Sequence, residues 1–314
     1  MTLSDEDRRA LEELDFRLRI VLPEEYHDSY ASVAPVSMGS AGLKYAGDGR
    51  VAWDEIWGSF CDLAMAGGPP HKGTWLAPPG LPEIDAEPDR SRDVVNEICR
   101  GVAMVTGLRV AASPHPGWVR VQCESDSMAG WLLRAIVMEN VAARADGPAL
   151  DLPAAPGFRL DKEIKNVITV IAKTCHYWLG HMPRAQRRAI ADLFTRLAAE
   201  SPLVEPAGSP AATRVAADAP ALAAMARRVE MEAGLRCLPS QHPGWLGVEC
   251  PSVRTAVWMM RALVVSNVLS RREGLVLFVP VNAVSDPEGE RVSRCVSRSH
   301  RLAAAAEAAD SAAP

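Results

Sequence analysis

Apolar residues recur at helical spacing through "DVVNEICRGVAMVT" (93–106) and stop at Gly107, the residue type that closes helices in the left-handed conformation. Two short β-rich runs follow, "LRVAAS" (108–113) and "WVRVQC" (118–123). The Pro-Gly between them predicts a hairpin. Ser125 stands where an N-cap belongs and opens a long apolar helix, "DSMAGWLLRAIVMENVAAR" (126–144). An extended run, "PALDLP" (148–153), and a further helix near 161–180 complete the pattern.

The same order returns downstream. Laid without a gap, 107–144 and 234–271 are identical at 19 of 38 positions, far above chance, so the chain contains an internal duplication. Ser252 repeats the cap, "GLVLFVPV" (274–281) repeats the extended run, and a second helix near 289–308 follows. Arg100, Val102 and Met104 match Arg227, Val229 and Met231, which carries the repeat into the preceding helix. The expected fold class is α+β: two tandem α-β-β-α-β repeats in pseudo-two-fold packing, plus N-terminal and connecting helices. The division reads as an N-terminal helix and loop (1–50), repeat 1 (51–160), repeat 2 with bridging helices (161–301) and a disordered Ala-rich tail (302–314).

Composition narrows the class. Hydrophobic residues make up 48% and charged residues 23% of 314, ordinary for a folded protein with more than one domain. The net charge is −5, and the basic residues form no stripe interleaved with aromatics, which argues against nucleic acid as a partner. An acidic, amphipathic N-terminus without a signal-like apolar run, and no long apolar stretch, argue against a membrane and for a cytoplasmic location. Seven cysteines without CxxC spacing read as reduced thiols.

The chemistry candidates come first from the duplication. "SPHPGW" (113–118) and "SQHPGW" (240–245) suit type II turns, which account for Pro and Gly but leave His115, His242, Trp118 and Trp245 unexplained. His at such a tip can transfer protons, so His115 and His242 are candidate catalytic groups, with Trp118 and Trp245 as candidate ligand-binding residues beside them. Arg134 and Arg261, each in the middle of an apolar helix, are costly to bury unpaired. They read as structural ion pairs or as anchors for an anionic ligand. Cys123 and Cys250 end alternating strands and read as buried apolar residues, although each lies just before a helix start.

Outside the duplication, "WDEIWGSFCDLAMAGGPPHKGTW" (53–75) combines Cys61, Asp62 and His71. With Cys175, His176 and His181 these offer ligand types suited to a transition metal, without an established metal-binding spacing. A Cys61–His176 pair is a candidate for nucleophilic catalysis, with Asp62 and His71 as ligand-binding partners. The motifs of P-loops, dinucleotide-binding folds, serine hydrolases and zinc proteases are absent. The expectation is an intracellular small-molecule enzyme or ligand-binding protein with a polar cleft between the repeats, its cofactors and reaction undetermined. Its partner would be a small anionic molecule or a transition metal, with room for a homo-oligomer. The alternative is a non-catalytic accessory or scaffold protein that binds a partner through the duplicated HPGW hairpins.

Overall fold

The computed structural model describes residues 4–27, 42–66, 74–206 and 211–312. Among them are ten helices and two four-stranded antiparallel sheets, a mixed α+β architecture with a tandem repeat. The chain divides into two compact units, Ala34–Arg187 and Met1–Val33 with Arg188–Pro314.

Helix α1 (Asp5–Val21) starts at Ser4, whose hydroxyl accepts a hydrogen bond from the Asp7 amide, and three acidic residues occupy its first turn. Its stripe of Ala10, Leu14, Leu18 and Val21 is buried. Although first in the chain, α1 clusters with the second repeat.

The unit Ala34–Arg187 contains α2 (Trp53–Ala66), the short α3 (Leu81–Ala86) and α4 (Pro88–Thr106), which ends on Gly107 at φ 70°. Strands β1 (Arg109–Ala112) and β2 (Trp118–Gln122) form the expected hairpin. Helix α5 (Asp126–Met138) is capped by Ser125, and β3 (Arg144–Asp146) and β4 (Ala149–Pro153) complete the sheet in the order β1-β2-β4-β3. Val119, Val121, Leu150 and Leu152, alternating on one face, are all buried and form the core against the helices. Helix α6 (Lys165–His176) is flanked by two π-helical turns, Leu160–Ile164 and Tyr177–His181.

The second repeat copies this plan. After α7 (Arg184–Glu200) come α8 (Ala211–Ala233), β5 (Cys237–Pro239), β6 (Trp245–Glu249), α9 (Val253–Val264), β7 (Arg271–Glu273), β8 (Val276–Pro280) and α10 (Glu290–Ala312). The strand order β5-β6-β8-β7 matches the first sheet, and Ser252 caps α9 as Ser125 caps α5. Helix α10 continues past residue 302, with Leu302 and Ala303 buried.

The structure corrects the sequence reading in one repeated detail. The helices expected to reach Arg144 and Arg271 end at Met138 and Val264, because Asn140 and Asn267 adopt the left-handed conformation at φ 60° and 61°. Asn tolerates that conformation better than other residues with a Cβ. Arg144 and Arg271 are thereby released to begin a fourth strand, so each sheet has four strands and not three. The carbonyls of both Asn residues also accept from a lone parallel bridge, Leu76–Val141 in one unit and Val204–Val268 in the other. Among the described residues no helix is long and apolar enough to cross a membrane.

Candidate functional site

The duplicated turns are built as expected around Gly117 (φ 77°) and Gly244 (φ 80°). Each also contains a local serine motif: Ser113 Oγ accepts from the His115 amide at 3.2 Å, and Ser240 Oγ from the His242 amide at 3.0 Å. The repeated Ser thus has a backbone duty. The two imidazoles differ in their surroundings. His115 is exposed, whereas His242 is half-buried, and burial together with the Arg271 charge lowers its pKa against the opposing pull of Glu273.

The retained tryptophans stack on the retained arginines that open the fourth strands. The Arg144 guanidinium lies 4.8 Å from the Trp118 ring centroid, and that of Arg271 lies 5.2 Å from Trp245. Arg134 and Arg261 are both buried, at 5% and 3% exposure. Arg134 donates to the Gly130 carbonyl at 2.8 Å, while Arg261 lies 5.5 Å from the Tyr26 ring. Cys123 and Cys250 are buried, and desolvation pushes both thiols up to about 12. A thiol that stays protonated is a poor nucleophile and metal ligand, so burial outweighs the nearby helix starts.

A second cluster has no counterpart in the other repeat. Helix α2 packs against α6, and Trp57 meets His176 edge-on with ring centroids 5.9 Å apart. His176 and His181 then face each other at 5.0 Å, and Tyr177 lies 5.8 Å from His181. The π-turn explains this pairing. Its i→i+5 hydrogen bond, from the Met182 amide to the Tyr177 carbonyl at 2.9 Å, widens the turn and brings residues five apart to one flank. The turn is held from below by Trp178, which is buried with its ring 5.8 Å from that of Trp131. Lys173, 2% exposed, lies one turn before Tyr177, with its Nζ 5.9 Å from that ring.

Of the residues singled out in sequence, Cys61 lies on α2, the helix that carries Trp57. It is half-buried and four residues after Trp57, hence on the same flank of α2 as that ring. Cys175 is buried and its thiol is pushed upward by desolvation, so only its neighbour His176 is in position for chemistry. The Asp62 side chain and His71 lie outside the described residues. Among the described residues no group of three or more His, Cys, Asp or Glu is placed to hold a metal ion. Sequence reasoning named His176 and His181 but missed that they pair, because the π-turn has no recognised local signature. No protein-family model, curated protein or solved structure matches the chain.

Proposed function

We propose that the protein binds a small anionic molecule at the α2–α6 cluster of the first repeat. The pairing of His176 with His181 by a π-turn carries this reading, since such turns interrupt helices at a cost and concentrate at functional sites. Lys173 and the two imidazoles supply cationic or donor groups, Trp57 and Tyr177 supply aromatic walls, and Cys61 adds a half-buried thiol at the edge. The corresponding stretch of α10 reads "LAAAAEAA" (302–309), so the second repeat has alanine in place of His176, Tyr177 and His181. In this reading the duplicated turns, tryptophans and arginines are framework, and the cysteine usage suits the cytoplasm.

The test is calorimetric titration and thermal shift of the full chain with inorganic phosphate, succinate and citrate. At least one anion should raise the unfolding midpoint, because a ligand stabilises the state that binds it. His181→Ala, at an exposed position, should keep the unliganded midpoint and weaken that anion by at least about tenfold, roughly one charge-assisted hydrogen bond. Lys173→Met should do the same. If no anion shifts the wild type, or His181→Ala binds as tightly, the reading is wrong.

A second reading, partner binding through the C-terminal turns of α4 and α8, draws on one observation. Met104 and Met231 occupy equivalent positions and are exposed at 42% and 77%. Under that reading, Met104→Ser with Met231→Ser abolishes association and leaves anion binding unchanged.

A further inference from the structure

A depression of about 360 Å³ opens on the first unit, apart from the His176–His181 cluster. Its floor is apolar, with Val51, Val94 and Ile164 all buried. Its rim carries opposite charges, Arg50 from a tight turn and Asp93 from α4, together with Tyr45, which is 59% exposed. Other charged groups of the lining are already engaged. Glu97 accepts from Trp53 Nε1 at 2.8 Å and pairs with Arg100, and Arg90 donates to the Phe158 carbonyl at 2.8 Å. Arg50 and Asp93 form no side-chain ion pair among the described residues, and both are exposed.

The turn that presents Arg50 is braced by hydrogen bonds. Tyr45 and Val51 form an antiparallel bridge, the Ala46 amide donates to the Arg50 carbonyl at 2.8 Å, and the Arg50 amide donates to Asp48 Oδ1 at 2.9 Å. Arg100 Nη2 ties the Val51 carbonyl to α4 at 2.8 Å, so turn and helix hold the rim together. Such a preformed site spares the ligand much of the ordering cost of binding.

From these features we infer that the depression binds a zwitterion between the size of an amino acid and a dipeptide, with an apolar side chain. Its carboxylate meets Arg50, its ammonium meets Asp93, and its side chain covers the valine and isoleucine floor beside Tyr45. An anion alone would face Asp93 and a cation alone would face Arg50; a zwitterion satisfies both. The volume lies near the lower end of small-molecule sites, roughly 300–1,000 Å³.

Calorimetric titration of the full chain with L-leucine and L-leucyl-L-leucine tests the inference, with the N-acetylated and C-amidated form of each as controls. At least one zwitterion binds, and removing either charge weakens it by about tenfold, the loss expected for one charge-assisted contact. In Asp93→Asn the acetylation penalty disappears, and in Arg50→Gln the amidation penalty disappears, while both variants keep the wild-type unfolding midpoint. The inference is overturned if neither zwitterion binds, if the capped forms bind within about twofold of the parent, or if the penalties persist in the variants. His181→Ala leaves this binding unchanged, which separates it from the anion site.

Discussion

At the same three register positions on the outer sheet face, the first repeat carries Arg120, Asp151 and Arg144, and the second carries Gly247, Phe278 and Arg271. In the first, Asp151 on the central strand accepts from both arginines, with Arg120 bidentate at 2.8 and 2.9 Å. Burial alone would raise the pKa of Asp151, but the hydrogen bonds from Arg120 and Arg144 prevail and hold it below the usual carboxylate range. In the second, Phe278 replaces the carboxylate, and Arg271 lies 3.9 Å from its ring while pairing with Glu273. Arg271 is fully buried, and desolvation lowers its pKa to about 10, leaving it charged at neutral pH. The comparison shows what duplication preserved. The Trp–Arg stack is common to both copies, whereas the counter-charge has moved, from Asp151 on the central strand in the first to Glu273 on the arginine's own strand in the second, where an aromatic face takes the place of the carboxylate.

The largest effect should come from removing the counter-charge. Asp151→Asn strands two arginines and should cost about 3 kcal/mol at neutral pH, near the low end for a broken buried pair because the arginines are partly exposed. Urea unfolding measures it, and a cost below about 1 kcal/mol would show that the network is incidental. The same variant should change the acid limb. A carboxyl with a depressed folded-state pKa contributes stability above its unfolded value, roughly 3.9, and loses it as pH falls through the lower folded value. The wild type should therefore lose stability below about pH 4 more steeply than Asp151→Asn.

Next in size is Gly247→Ala. A Cβ there would lie 3.1 Å from both the Leu238 carbonyl oxygen and Val276 Cγ1, so the second sheet has no room for a counterpart of Arg120. Overpacking of this kind should cost about 2 kcal/mol. A wild-type unfolding midpoint for the variant would mean the strands separate freely at that point.

Two further changes probe what the repeats share. Asn140→Ala and Asn267→Ala each place a residue poorly suited to positive φ at a helix exit and should each cost about 1–2 kcal/mol. Widely unequal costs would indicate that one exit is strained and the other is not. Ser125→Ala and Ser252→Ala remove caps that accept from Met128 at 3.1 Å and Thr255 at 3.0 Å, and should cost about 1 kcal/mol apiece. Amide exchange in the first turns of α5 and α9 would register the loss even where global unfolding barely moves.

Much of the fold was legible because its signals are local. Period and punctuation located α1, α4, the two hairpins, both serine caps and the extended runs of β4 and β8. The fourth strands were missed because Asn140 and Asn267 look like ordinary helix residues until their φ is known. The candidate site was legible only as an inventory. His176, His181 and Cys61 could be named as chemistry-bearing residues, but nothing in their spacing announced a π-turn or the packing of α2 on α6.

The sequence by itself determined the duplication, the α+β class and the turns at both HPGW tips, because identity at fixed spacing and the φ requirements of Gly and Pro act over a few residues. The tertiary structure alone decided what the repeated polar residues do. Whether an arginine pairs with Asp151 or lies against Phe278, and whether two histidines face each other, depends on neighbours brought in from distant parts of the chain. Burial and electrostatic coupling are properties of that environment and are not encoded in any single stretch.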